Sequence, residues 1–340
     1  MSGINDAFDD YQKHVNADDP QVVEARRRRD LFTDSLGGCD DVDEVVSSGS
    51  LRRGTHRDPI HDVDTIIVFD GAEHPTWGTP GESAGEALDH TRALVNKLLG
   101  ATNGTFAQEV RLASPRNHAV KCFLDDPDAD APFTVDAMPA LRREGMFLVP
   151  EKLSEKWIYT DPEELIEQVA KKHAEWNRFA GLVRMLKDWA HKQDLDIKSL
   201  VMEILALDHM PSGNNRPTAL KEFFVKAAYR VESLTAIEDP AGVCGAIQAD
   251  LDMIGLGERL RSSAILASEA ITAQANNDIH KALTKWHEIF GEGFPPPPPP
   301  PPSKSGTPNP SPAVVPLVPG ADPTPTTEPQ RRPVKDTPQG

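Results

Sequence analysis

The sequence predicts an α+β fold in three parts: a mixed sheet flanked by helices over residues 1–150, a helical domain over 151–294, and a disordered proline-rich tail over 295–340. Three observations carry this expectation. Before about residue 150, short β-rich runs such as VDTIIVF (63–69) are interleaved with stretches of helical spacing. After it, apolar residues recur at helical spacing alone. From Pro295 eight prolines stand in a row, followed by Ser, Thr, Pro and Gly, a composition that can extend as polyproline II but cannot bury a core.

Taken in order, the polar run 5–36 carries Phe8, Tyr11, Val15, Val22, Val23, Leu31, Phe32 and Leu36, the spacing of one or two amphipathic helices, and Gly37-Gly38 ends them. Residues 40–48 read as the start of another helix leading into the turn Gly49-Ser50. The run 63–69 is a strand bounded by Gly71, 72–85 a loop, and 86–99 a helix stopped by Gly100. Strand candidates follow at 105–112, 118–124 and 132–137, with the acidic DDPDADAP (125–132) as a hairpin-like loop. The stretch 160–193 reads as one long helix, with Asp161 as its cap and Pro162 in its first turn. Further helices are expected at 198–209, 217–234, 240–254 and 258–290.

Bulk properties narrow the function. The 340 residues suffice for two ordinary domains. With 53 acids against 36 Lys and Arg, the net charge of −17 argues against a surface built for direct DNA binding. The basic run 26–29 (RRRR) reads as the solvated face of a helix. Cys39, Cys122 and Cys244 are too widely spaced for a metal knuckle or a disulfide framework, so buried free thiols are expected. MSGINDAFDDYQ lacks the basic-then-apolar pattern of a leader, and no stretch approaches a membrane span, which predicts a cytoplasmic protein.

The chemistry is carried by carboxylates. Side chains alternate along a strand, so Asp62 and Asp64 point to the same side. Asp136, in FTVDAMP (133–139), has the same setting on a later strand. Three converging acids would repel one another unless a cation lay between them. Hard oxygen ligands suit Mg²⁺, and two such ions, about 3.5–4 Å apart, can activate a hydroxyl and stabilise the leaving oxygen of a phosphoryl transfer. Gly49 and Ser50 supply the complement: a glycine lets backbone amides approach an anion, and the serine hydroxyl can receive a triphosphate.

GSLRRGT (49–55), HDVDTIIVF (61–69) and VDAMPAL (135–141) together resemble the DNA polymerase β-like nucleotidyltransferase superfamily. Within it, KWIYTDPEE (156–164), the segment 177–205 with its LKDW and later Lys-Ser, IEDPAG (237–242) and KWHEIFGEGFP (285–295) are most similar to the bacterial CD-NTases, relatives of cyclic GMP-AMP synthase and the oligoadenylate synthetases. The likeness covers roughly 5–295 and leaves out the tail.

This resemblance implies that Asp62, Asp64 and Asp136 are the catalytic metal ligands for two Mg²⁺ ions, with Mn²⁺ as a substitute. It implies that Gly49 and Ser50 contact phosphate and that Lys187 and Ser199 reach the nucleotide triphosphate. Arg53 and Thr55 are expected to shape the turn, His61 to be an exposed strand-end residue, and Trp176, Trp189 and Trp286 to pack between helices. The implied activity joins nucleoside triphosphates, ATP among them, into a cyclic di- or trinucleotide second messenger. In the anti-phage systems called CBASS such a messenger switches on a downstream effector. Some of these systems also conjugate the synthase through its C-terminal residue, here Gly340, at the end of the tail. Two alternatives stay open: a nucleotidyltransferase toxin that modifies tRNA or protein, and an inactive scaffold working through its proline tail.

Overall fold

The computed structural model describes residues 2–100 and 109–299. The tail from 300 onward, and the first part of the strand candidate at 105–112, lie outside the described residues.

Two N-terminal helices, α1 (Ser2–Val15) and α2 (Asp19–Leu36), come first. The Asp18 carboxylate accepts from the backbone N–H of Gln21 at 2.9 Å and caps α2, which ends at Gly37 as expected. Strand β1 (Val42–Ser48), the short helix α3 (Gly49–Arg53), strand β2 (Asp62–Phe69) and helix α4 (Ser83–Leu99) follow. Then come β3 (Leu112–Pro115), β4 (Val120–Phe123), β5 (Thr134–Arg143), β6 (Met146–Glu151) and β7 (Lys156–Thr160). The helical half comprises α5 (Pro162–Glu175), α6 (Phe179–His191), α7 (Ser199–His209), α8 (Arg216–Glu232), α9 (Met253–Ala275) and α10 (Ile279–Phe290).

The sheet is mixed, with strand order β1-β2-β5-β4-β3. Among the described residues only the central pair β2–β5 is parallel; its neighbours are antiparallel. Strand β5 is long enough to serve twice. Its first part lies between β2 and β4, and its end, Leu141 to Arg143, pairs with β6, which in turn pairs with β7. One face of the sheet packs on α2 and α4 through Val63, Ile67, Leu88 and Val135, and the other buries Ile66, Val68, Met138 and Phe147. A third core gathers α5 to α10 together with α1, whose Phe8 and Tyr11 meet Trp286, Phe290 and Phe294. Trp176, Trp189 and Trp286 are buried as expected. No described helix is long and apolar enough to cross a membrane.

Four expectations change. Residues 42–48 form a strand where a helix was expected: their Val45 and Val46 sit in register with Ile67 and Ile66 of β2, and β-branched residues fit that pleated, half-buried surface. The long helix at 160–193 is two helices, because Trp176 turns extended (φ −154°) to bury its ring, and α6 restarts at Phe179. Residues 240–252 form turns instead of a helix, since the Asp239 carboxylate collects the backbone N–H groups of Ala241, Val243 and Cys244 and competes with helical bonding. The stretch 258–290 breaks at Asn277, which takes a left-handed φ of 60°, and Asp278 caps α10. Strands β6 and β7 have no counterpart among the strands expected from sequence. Of the free thiols, Cys122 is buried while Cys39 and Cys244 are half-buried.

Candidate active site

The acids meet because of one register. In the parallel pair β2–β5, Asp64 lies directly beside Asp136, and Asp62 beside Thr134. The row continues outward: Ser48 of β1 pairs with Asp64, and Lys121 of β4 pairs with Asp136. Residues directly across adjacent strands share a face. Ser48, Asp64, Asp136 and Lys121 therefore form one line across four strands, with Asp62 two residues along β2 on the same face. Asp62 is exposed, and Asp64 and Asp136 are half-buried. Burial pushes the Asp64 carboxyl well above the usual carboxylate range. The charges of Asp62 and Asp136 push it further, against the pull of Arg53 and Lys121.

Gly49 opens the turn that faces this row. Its φ of +72° is left-handed, and a Cβ built on it would stand 1.7 Å from Oδ2 of Asp64. Only glycine brings the backbone so close to that carboxylate. Gly49→Ala is expected to displace Asp64 and to destabilise the chain by about 1–2 kcal/mol from the left-handed backbone alone. Chemical denaturation alongside a nucleotide-joining assay checks this. An alanine chain with native stability and rate would mean that the turn and the acid move independently.

Behind the turn lies a buried knot of charge. The Arg53 Nε donates to Glu203 Oε1 at 2.7 Å, Lys187 Nζ to Glu203 Oε2 at 2.6 Å, and the Thr55 hydroxyl to Glu203 Oε1 at 2.9 Å. Lys187 Nζ also reaches the Thr55 carbonyl at 3.2 Å, and Arg184 Nη1 donates to the Gly54 carbonyl at 2.6 Å. Glu203 is fully buried. Burial raises its pKa, but Arg53 and Lys187 reverse that and hold it at about 2. Burial lowers the Lys187 pKa, with Glu203 opposing. Burial, Arg184 and Lys187 together push His56 down to about 4, so its imidazole is neutral at pH 7. Residues of α6 and α7 thus grip the segment that follows α3.

No family model matches the chain. A curated protein of Bacillus cereus (strain VD146), described as a probable cyclic nucleotide synthase, is 25% identical over 343 residues, covering 86% of this chain and 97% of that protein. Among solved structures, E. coli MS115-1 CdnC with ATP superposes with a TM-score of 0.66 at 18% identity, over 86% of this chain and 98% of CdnC. The Bradyrhizobium diazoefficiens CD-NTase CdnG in complex with GTP gives a TM-score of 0.57 at 11% identity, over 84% and 98% of the two chains. This chain has the CD-NTase fold.

Within the CD-NTase fold, Asp64 and Asp136 lie side by side with Asp62 two residues along, and Gly49, followed by Ser50, stands against Asp64. Lys187 is not on a helix surface: it is buried, paired with Glu203, and close enough for Asp62 to act on its charge. Ser199 is exposed in the first turn of α7, one turn before Glu203. Arg53 and Thr55 shape the turn, through Glu203. His61 is half-buried, unlike the exposed strand-end residue expected, and its carbonyl accepts from the Thr134 N–H at 2.8 Å. Sequence reasoning gave no role to Glu203 or Lys121. Each leaves a signal: Glu203 is the lone acid in the apolar run LVMEILAL (200–207), and Lys121 interrupts a short apolar strand.

Proposed function

We propose that the chain is a nucleotidyltransferase that condenses nucleoside triphosphates, ATP among them, into a cyclic di- or trinucleotide, releasing pyrophosphate. The observation that carries this reading is the register placing Asp64 beside Asp136, with Asp62 two residues along the same face and Gly49 against Asp64. The description of the Bacillus cereus relative supports it.

The donor set fits Mg²⁺. Three carboxylates offer only hard oxygen, and the raised pKa of Asp64 marks a cluster that a cation would relieve. Asp62, Asp64 and Asp136 would hold two such ions, with Mn²⁺ as a substitute. When bound, the metal would supply Lewis-acid stabilisation of the attacking hydroxyl and of the pyrophosphate leaving group. The chain itself does the positioning. The Gly49–Ser50 turn receives the phosphates of the donor nucleotide. Ser199 adds a hydroxyl from α7. Lys187 adds positive charge from beneath the turn and, through Thr55, fixes the turn's shape. Lys121 offsets the negative charge of the acid row. The product acts in the cytoplasm as a messenger for an effector of CBASS anti-phage defence.

The test is incubation of the full chain with labelled ATP, GTP, CTP and UTP, singly and mixed, with Mg²⁺ or Mn²⁺. A phosphatase-resistant product that mass spectrometry identifies as cyclic, absent from Asp62→Ala/Asp64→Ala, is the expected result. Label transferred to added tRNA or to protein, with no cyclic product, would replace this reading with that of a modifying toxin.

A further inference from the structure

Apart from the charged knot, three side chains from separate parts of the chain converge on one point. Asp41 stands in the turn before β1, His74 in the loop between β2 and α4, and His90 on α4. His90 Nε2 lies 2.7 Å from Asp41 Oδ2, and His74 Nε2 lies 3.1 Å from the same oxygen. The two imidazole nitrogens and the carboxylate oxygen all fall within 4.8 Å of one another.

We propose that Asp41, His74 and His90 form a transition-metal site, for Zn²⁺, separate from the acid row on β2 and β5. The spacing is near that of ligands on one ion: bonds of about 2.0–2.1 Å in a tetrahedral site place ligand atoms about 3.4 Å apart. Small withdrawals of the two rings from Oδ2 would admit the cation. The rings are already held for this. His74 stacks on Trp77, with centroids 3.8 Å apart and 14° between planes, and Phe69 stands edge-on to both His74 and His90 at 5.5 and 5.4 Å. Asp41 is pinned by its own backbone, whose carbonyl accepts from the Asp70 N–H at 2.9 Å. Such outer contacts are what fix the orientation of metal-binding imidazoles.

The donor types choose the metal. Two imidazoles and one carboxylate suit Zn²⁺ and its neighbours, whereas Mg²⁺ prefers the all-oxygen set of Asp62, Asp64 and Asp136. Without the ion, the ionised Asp41 only accepts, so each ring carries its proton on Nε2. On binding, the Nε2 lone pair goes to the metal and the proton it displaces goes to Nδ1 or to solvent. Three protein ligands leave a fourth position for water, and His90, 38% exposed, gives the path from solvent. The ion would tie the loop and α4 to the start of β1. Since β1 runs directly into Gly49, the site braces the strand that carries the phosphate turn.

The full chain, stripped with EDTA and desalted, is titrated at pH 7 with Co²⁺ as the spectroscopic probe and then with Zn²⁺. One equivalent of Co²⁺ giving the visible bands of a four- or five-coordinate ion, displaced by Zn²⁺, is expected. His90→Gln and Asp41→Asn should each weaken binding by at least about 100-fold with far-UV circular dichroism unchanged, while Asp64→Asn keeps it. No stoichiometric Co²⁺, an unaltered spectrum in His90→Gln, or loss of the band in Asp64→Asn would each overturn the assignment. Should both first variants fail to fold, X-ray absorption of the zinc-loaded native chain decides, by the presence or absence of two imidazoles in its scattering.

Discussion

Glu203→Gln is expected to destabilise the chain by about 3–5 kcal/mol, the usual consequence of removing one partner from a buried ion cluster. The glutamine keeps the volume and can still accept from one neighbour, but it takes from the buried cations Arg53 and Lys187 the carboxylate that both are bonded to. Against a typical total stability of about 5–15 kcal/mol, that loss is large. Its pH signature separates it from a packing defect. The folded pKa of Glu203 is about 2, below the ordinary glutamate value of 4.5. The unfolded chain therefore binds more protons across that interval, and the stabilisation is present above pH 4.5 and lost as the pH falls toward 2. Urea unfolding at about pH 6 and about pH 3.5, on either side of the unfolded value, reads the effect. The native chain should lose part of the difference between itself and Glu203→Gln at the lower pH. A glutamine variant with the native midpoint at the higher pH would show that the knot contributes specificity of fold and no stability. Nucleotide joining should fall too, since Thr55 and Lys187 lose the group that aligns them behind Gly49 and Ser50.

Much of this architecture is legible in the sequence, for physical reasons that also account for the gaps. Strand β2 and the Asp62/Asp64 pair stand out because acids at alternate positions, leading into a run of β-branched residues, fit a strand with both acids on one side and fit a helix poorly. Asp136 stands out in the same way. What the local pattern cannot give is register, and register is what sets Asp64 between Ser48, Asp136 and the reach of Gly49. Strand β1 reads as a helix because VDEVVSS alternates weakly, and its state is decided by pairing with β2, a contact remote in sequence. The setting of Lys187 is hidden similarly: on helix α6 alone it looks like a surface lysine, and only α7 and the turn after α3 enclose it. The tie between His74, His90 and Asp41 has no motif at all, since the three come from a loop, a helix and a turn spread over 49 residues.

Asp64→Asn is expected to slow nucleotide joining by about 10³-fold or more while making the metal-free chain more stable. The rate follows from the several kcal/mol that a properly held metal contributes to the transition state, at about 1.36 kcal/mol per tenfold. The stability follows from the environment of the same carboxylate. Burial and its two like-charged neighbours raise the folded pKa of Asp64 above the unfolded value, so in the window between them the folded chain binds more protons than the unfolded one. For that sign, stability falls as the pH rises from the ordinary carboxylate range through the folded pKa, and above that pKa the penalty is complete. Asparagine removes the charge and with it the penalty. Thermal unfolding at pH 7 with EDTA should therefore give a higher Tm for Asp64→Asn than for the native chain. Added Mg²⁺ should reverse the order, because only the native chain gains from binding the ion in its folded state. A native chain whose Tm ignores Mg²⁺, together with an asparagine variant that is less stable in EDTA, would mean that the three acids are held by protein contacts alone and that the metal reading of the row is wrong.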